Sequence, residues 1–152
     1  MVPTTDAVVA AIDQKRQADS DEGTGRLLRK YDMKDLVPVF IAAYPRIKNS
    51  AGRNSILFWL IRFARKRPEL VELAFAGLRD RAYLVRMQAC AILANSLRRD
   101  AIPHLKELLR HRNRETRADA AAAIDAIKNH NHHYWVDRDH SGKVRWEVNP
   151  VT

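Results

Sequence analysis

Apolar residues recur along most of this chain at helical spacing, three and four positions apart. Val8, Ala11, Ile12 and Lys15 share one stripe, and Thr4 or Thr5 stands ready as a cap, which predicts a first helix of about three turns. Residues 19–25, rich in Asp, Glu and Gly, read as an acidic loop, and residues 26–31 as a short helix leading into the main array. From residue 34 the pattern repeats. Leu36, Leu70 and Ile102 open equivalent apolar runs, continued at Val39, Leu73 and Leu105, with spacings of 34 and then 32 residues. Asp35 with Pro38 and Asp100 with Pro103 give a capping aspartate and an early proline to two of these first helices, and Pro68 marks the start of the third. Second helices follow around Arg53, Arg86 and Arg117, with Ile56, Ala89 and Ala120 in one equivalent position and Leu60, Leu93 and Ile124 in another.

The end of the chain changes register. Residues 133–148 alternate in the manner of a β-hairpin, with Asp139 and Gly142 as the first and fourth residues of its turn. Pairing Asp139 with Lys143 puts Tyr134, Val136, Val144, Trp146 and Val148 on one face, and His133, Trp135, Asp137, Arg145 and Glu147 on the other. The expected architecture is therefore all-α: a short α-solenoid of about three helix pairs over residues 34–129, an N-terminal helical cap over residues 1–33, and a hairpin cap over residues 130–152, in one domain.

The second helices carry a more specific likeness. Asp80, Val85, Arg86, Ala89, Ala91 and Leu93, and again Arg117, Ala120 and Ile124, resemble the HEAT-repeat family, whose units are antiparallel helix pairs with an early proline in the first helix and Val-Arg before small residues in the second. The resemblance implies a stacked scaffold and says little about activity. It also implies a ladder of aspartate and arginine six residues apart. Asp80 with Arg86 fits that spacing, whereas Ile47 and His111 stand at the equivalent aspartate positions.

Composition narrows the class. The chain has 152 residues, 46% of them hydrophobic and 30% charged, with only 5 Gly and 6 Pro, which excludes disordered and collagenous chains. A lone cysteine, Cys90, cannot form an internal disulfide, no stretch has the length of a membrane span, and the first thirty residues lack the pattern of a signal peptide. A cytoplasmic location is expected. The net charge of +9 arises wholly between residues 34 and 129 and favours polyanionic partners.

That excess is ordered. Arg46, Arg79 and Arg112 are 33 residues apart, and so are Lys48, Arg81 and Arg114, all in the turns joining first to second helices. Rows of cations on one rim suit a phosphate backbone or an acidic protein; solvated polar turns would give the same composition. Arg62, Arg65, Lys66 and Arg67, and later Arg98 and Arg99, fall where cations stabilise helix C-termini. Arg53, Arg86 and Arg117 lie within the second helices and are assigned to packing between repeats. His130, His132, His133 and His140, near Asp137 and Asp139, follow no established ligand spacing, so no metal and no other cofactor is expected. Trp135 beside Arg145 is a candidate partner contact, or else a cover for a groove of its own molecule. Cys90, between two alanines, reads as structural.

No nucleophile–base pair, converging acids or cofactor loop appears, so an enzyme is not expected. The HEAT-like alkylpurine DNA glycosylases hold DNA against an acidic, aromatic concave face; here Asp119 and Asp125 are assigned to solvent and no inward carboxylate is found near Trp59. The expected function is a non-catalytic module that docks nucleic acid through Arg46, Lys48, Arg79, Arg81, Arg112 and Arg114, with no membrane and no small-molecule substrate. The alternative is a protein-binding module, such as an adaptor or an immunity-type protein that blocks a toxin.

Overall fold

A computed structural model describes residues 1–148. Among them every regular element is helical and no strand occurs. Eight α-helices follow one another: α1 Thr5–Ile12, α2 Gln17–Lys30, α3 Met33–Ala43, α4 Ser50–Leu60, α5 Pro68–Gly77, α6 Tyr83–Ser96, α7 Ile102–Leu108 and α8 Arg114–Lys128. Short 3₁₀ turns lie between several of them and at His132–Trp135. The chain divides into two compact units, Met1–Leu60 and Ile61–Thr152.

In the first unit α1 packs against α2, α3 and α4, and α2 also packs against α4. Thr4 caps α1, its hydroxyl accepting the amide of Ala7 at 3.0 Å. Val8 and Ile12 then enter a core with Leu36, Phe40, Ile56 and Leu57, all fully buried. The acidic stretch expected to be a loop is instead the body of α2. Its glycine does not break the helix, because it is the point where two helices meet. A Cβ on Gly23 would lie 1.8 Å from the carbonyl oxygen of Ala11, so only hydrogen allows this approach. The polar residues beside it turn inward: Ser20 donates to the carbonyl of Ile12 at 2.7 Å, and Thr24 to that of Ser20 at 2.8 Å. Both are buried, and Asp21 and Glu22 keep the outer face in water. A period-3.6 face made of Ser, Gly, Thr and Leu27 carries too little hydrophobicity to be seen by apolar spacing alone.

In the second unit α5 packs on α6, α7 on α8, and α6 on α8. Helix α6 is the centre: every residue from Gln88 to Ser96 is buried. Its polar members satisfy themselves, Asn95 donating to the carbonyl of Ala91 at 2.9 Å and Ser96 to that of Leu93 at 2.6 Å. Leu97 ends the helix in the left-handed conformation, with φ 57°. Pro68 and Pro103 sit in the first turns of α5 and α7, where a missing amide hydrogen leaves nothing unpaired. The aspartates expected to cap do not: α3 starts two residues before Asp35, and Asp100 falls in the 3₁₀ turn before α7, ion-paired with Arg98.

The expected hairpin is replaced by a side-chain-pinned segment. The amides of Tyr134, Val136 and Asp137 donate to acceptors three or four residues back, so these donors are lost to a strand ladder. The carboxylate of Asp137 then takes the amides of Ser141 at 3.0 Å and Gly142 at 2.8 Å, and the Ser141 hydroxyl at 2.7 Å. His140 and Gly142 adopt positive φ, 54° and 74°. The register that put Trp135 on a polar outer face lapses with the strands; its side chain is buried at 6% exposure.

The two glycines of α2 separate backbone entropy from packing. Gly23→Ala is expected to destabilise the fold by about 2–3 kcal/mol through overpacking against Ala11. Gly25→Ala, which would meet only the flexible Arg29 guanidinium at 3.2 Å, should stabilise it by about 0.5–1 kcal/mol. Urea midpoints of the two variants measure both signs.

Candidate functional site

Three arginines occupy one position in their helices. Arg53, Arg86 and Arg117 are each the fourth residue, in α4, α6 and α8. Helical side chains lean toward the N-terminus, so each reaches back over its own first turn to the corner that precedes it. Arg53 Nη1 donates to the carbonyls of Ile47 at 3.3 Å and Lys48 at 2.8 Å. Arg86 Nη1 donates to those of Asp80 at 3.0 Å and Arg81 at 2.8 Å. Arg117 Nη1 donates to those of His111 at 2.8 Å and Arg112 at 3.2 Å. The same two acceptors, six and five residues upstream, are used every time.

The sequence left these arginines either lining a groove or, the preferred reading, packing between repeats; what they do first is hold the corner before their own helix. Arg86 does more. It is buried, and its Nε donates to Thr116 Oγ1 at 3.0 Å, while Thr116 donates in turn to Asn113 Oδ1 at 3.0 Å. Asn113 caps α8, accepting the amide of Thr116 at 2.8 Å. One guanidinium thus ties the corner before α6 to the corner before α8. A buried charge is stable only when its donors are met, and here carbonyls and a hydroxyl meet them.

The side chains of the two tied corners face water. Arg79, Arg81, Arg112 and Arg114 are all exposed, and among the described residues none of the four has a carboxylate within ion-pair distance. Between them in the chain stands His111, whose imidazole Nδ1 accepts the amide of Asn113 at 2.9 Å. Burial, and after it the charges of Arg86, Arg112 and Arg117, lower its pKa from the usual histidine value. In the first unit Lys48 is exposed, and Arg46 is ion-paired to Asp6 at 2.7 Å. That corner is organised from the other side as well: Asp13, at the end of α1, accepts the amides of Lys48 at 3.1 Å and Asn49 at 2.9 Å. Burial opposes its ionisation, but the hydrogen bonds from Asn49 and Lys48 outweigh it and hold the carboxyl below its ordinary pKa.

The remaining candidates resolve into structural roles. Trp135 lies under Arg138, whose guanidinium is 4.7 Å from the ring centroid and donates to Asp119 at 3.0 Å. Asp119 is not on the solvent face as its position suggested; it is 4% exposed and also accepts the Tyr83 hydroxyl at 3.0 Å. Burial and then this carboxylate push the Tyr83 hydroxyl up to about 12. With both oxygens engaged, Asp119 fixes the C-terminal segment to α6 and α8. Arg145 is exposed and faces Glu147 at 3.6 Å. Cys90 is fully buried, and its thiol is pushed far above the usual range, chiefly by that burial.

Among the described residues, the one group of three with metal-ligand atoms close together is His132, His133 and Glu147. Its nitrogens are already committed. His132 Nδ1 accepts from Arg65 and its Nε2 faces the carbonyl of Trp146 at 2.8 Å, while His133 Nδ1 accepts the amide of Trp146 at 2.9 Å. A cation would have to displace those bonds beside the Arg65 charge, so the trio is a hydrogen-bonded pin. Neither the buried Asp119 nor this pin was foreseeable from spacing, since each depends on a chain segment 13 to 36 residues away.

Comparison with protein-family models, with curated proteins and with solved structures finds no match for this chain.

The corner arginines differ in burial, and their removal is expected to separate accordingly. Arg86→Ala leaves two carbonyls and a buried hydroxyl without a donor and should cost about 2–4 kcal/mol, whereas Arg117→Ala, at an exposed site, should cost about 1 kcal/mol or less. Chemical denaturation of both variants tests the ranking.

Proposed function

We propose that this protein is a non-catalytic, HEAT-like helical-repeat module of the cytoplasm that docks the phosphate backbone of nucleic acid through its basic corners. The observation that carries the reading is the double corner of the second unit. Arg86 consumes the carbonyls of Asp80 and Arg81 and links to the turn at Asn113, and the cations Arg79, Arg81, Arg112 and Arg114 project from the two joined corners without acidic partners. Neighbouring cations that form no ion pair among the described residues repel one another, and a polyanion relieves that repulsion while releasing its counterions. The corner carbonyls, which would otherwise oppose an approaching phosphate, are covered from inside by Nη1 of Arg86 and Arg117.

Lys48 adds a cation at the corner of the first unit, where Arg46 is shared with Asp6. The repeated helix–corner–helix pattern, with an arginine in the fourth position of each second helix, supports the repeat reading. Contacts of this kind position a partner and carry no base sequence. The bonded state of Asp119 and the burial of Cys90 speak for binding rather than chemistry, since neither is available as base or nucleophile.

Four neutralised phosphates give an expected slope of about −3.6 for log affinity against log salt on duplex DNA. Reversing Arg79 and Arg81 to Glu should at least halve that slope and weaken binding equally on unrelated sequences, with the helical circular dichroism unchanged. Filter binding between about 0.05 and 0.2 M salt measures it. Failure to retain DNA or RNA at the low end of that range would overturn the nucleic-acid reading in favour of an acidic protein partner, such as a toxin or an adapted client.

A further inference from the structure

We propose that residues 143–148 form a strap which neutral His132 and His133 hold by the backbone of Trp146, and that protonation of these two imidazoles releases it from the folded body. Trp146 is gripped at both of its backbone polar groups by adjacent side chains: its amide donates to His133 Nδ1 at 2.9 Å and its carbonyl faces His132 Nε2 at 2.8 Å. The partners fix the protonation states. A carbonyl only accepts, so His132 Nε2 carries hydrogen; a guanidinium only donates, so His132 Nδ1, facing Arg65 Nη2, does not. An amide only donates, so His133 Nδ1 is bare as well, and its hydrogen is on Nε2, turned toward Glu147 at 3.7 Å.

A second proton on either ring turns a hydrogen bond into an opposition of donors. On His132 it meets Arg65, which cannot withdraw freely because its Nε is bonded to the carbonyl of Asn95 at 3.1 Å. On His133 it meets the Trp146 amide itself. The charged groups around the pair do not rescue it. Glu147 is exposed and at a distance where an ion pair is weak. From α8, Asp119 is taken by Arg138 and Asp125 by His140, and Lys128 faces water; α6 offers Arg86 and Tyr83, both bonded elsewhere, and the neutral, buried Cys90. Lys143 and Arg145 on the strap itself are exposed cations that gain nothing from two new positive charges.

The loop before the strap has its own anchor. His140 stands against the Asp125 carboxylate and stacks on Tyr134, contacts that do not involve His132 or His133. Release therefore stops at Gly142, whose φ of 74° and open surroundings suit a hinge. Detached imidazoles take up protons near pH ~6.5. In the held state burial, then Arg65 and His133, keep the His132 pKa below its usual value, against the opposing pulls of the Trp146 carbonyl and, more weakly, Glu147. Through His132 the grip is therefore complete above about pH 6.5 and weakens as pH falls below it, because that ring binds its proton more tightly once the strap is released.

The test is ¹⁵N relaxation on the full chain at pH 7.5 and 5.0, with circular dichroism as the control for the fold. The Trp146 amide is expected to be ordered at the higher pH and to fall below an order parameter of about 0.6 at the lower, with the helical signal intact. His140→Gln should keep this transition. His132→Gln together with His133→Gln should abolish its pH dependence, and in the unmodified protein the change at Trp146 should share its midpoint with the ring shifts of His132 and His133. A strap that stays ordered at pH 5.0, one mobile at both values, loss of the whole fold at pH 5.0, or a midpoint unrelated to those rings would each overturn the proposal.

Discussion

The corners before α4, α6 and α8 each depend on an arginine that folds back on the beginning of its own helix. The corner before a second helix must reverse the chain in a few residues, and its carbonyls have no partners in either helix. A guanidinium at the fourth helical position reaches two of them with one nitrogen. The placement works against the helix dipole, which disfavours a cation near the N-terminus by about 0.3–1 kcal/mol. Hydrogen bonds from a charged donor, about 1.5–3 kcal/mol each, outweigh that cost. In Arg86 the remaining Nε extends the device sideways to Thr116, so local closure and packing between α6 and α8 use one side chain.

The first unit meets its packing demand differently. Gly23 and Gly52 bring α2 and α4 against α1 and its end: a Cβ on Gly52 would lie 2.7 Å from Ile47 Cγ2 and 2.8 Å from the carbonyl oxygen of Ile12. Close approach exposes backbone oxygens to neighbouring helices, and hydroxyls must then satisfy what water no longer reaches. Ser20 on the carbonyl of Ile12 is that compensation. Small and hydroxylated residues thus set the close approach of α2 and α4 to α1, around the aliphatic core of Ile12, Leu36 and Ile56.

The same contrast explains which elements could be read from the chain. Helices with an aliphatic or alanine stripe, such as α5, which also has a proline in its first turn, and α8, follow from periodicity because burial of Leu70, Val71, Ala120 and Ile124 leaves a period of 3.6. Helix α2 does not, since its inward face is Ser20, Gly23 and Thr24, residue types that in isolation favour turns. The C-terminal segment misleads in the other direction. Its alternation is real, but strands need backbone partners, and Asp137, His132 and His133 supply side-chain partners to the amides and the carbonyl that a ladder would have used. Of the site, the 33-residue interval of corner cations was visible in advance; the ion pair of Arg46 with Asp6 and the joining of two corners through Arg86 and Thr116 were not, because both require knowing which helix lies beside which.

Charge in the second unit is sorted by depth. Where an ionic side chain is buried it is matched: Arg86 by carbonyls and a hydroxyl, Asp119 by Arg138 and Tyr83, Asp137 by the amides and hydroxyl of its own loop. Leaving any of these unpaired would cost several kcal/mol, roughly half of what a domain of this size has in reserve. The four corner cations are under no such constraint, for water solvates each of them. Asp80 and Glu115 lie beside them in the chain, yet among the described residues none of the four is ion-paired, and the fold does not need them to be. A feature that stability neither requires nor rewards is the one to which a binding role attaches most directly, and it coincides with the corners that Arg86 has made rigid.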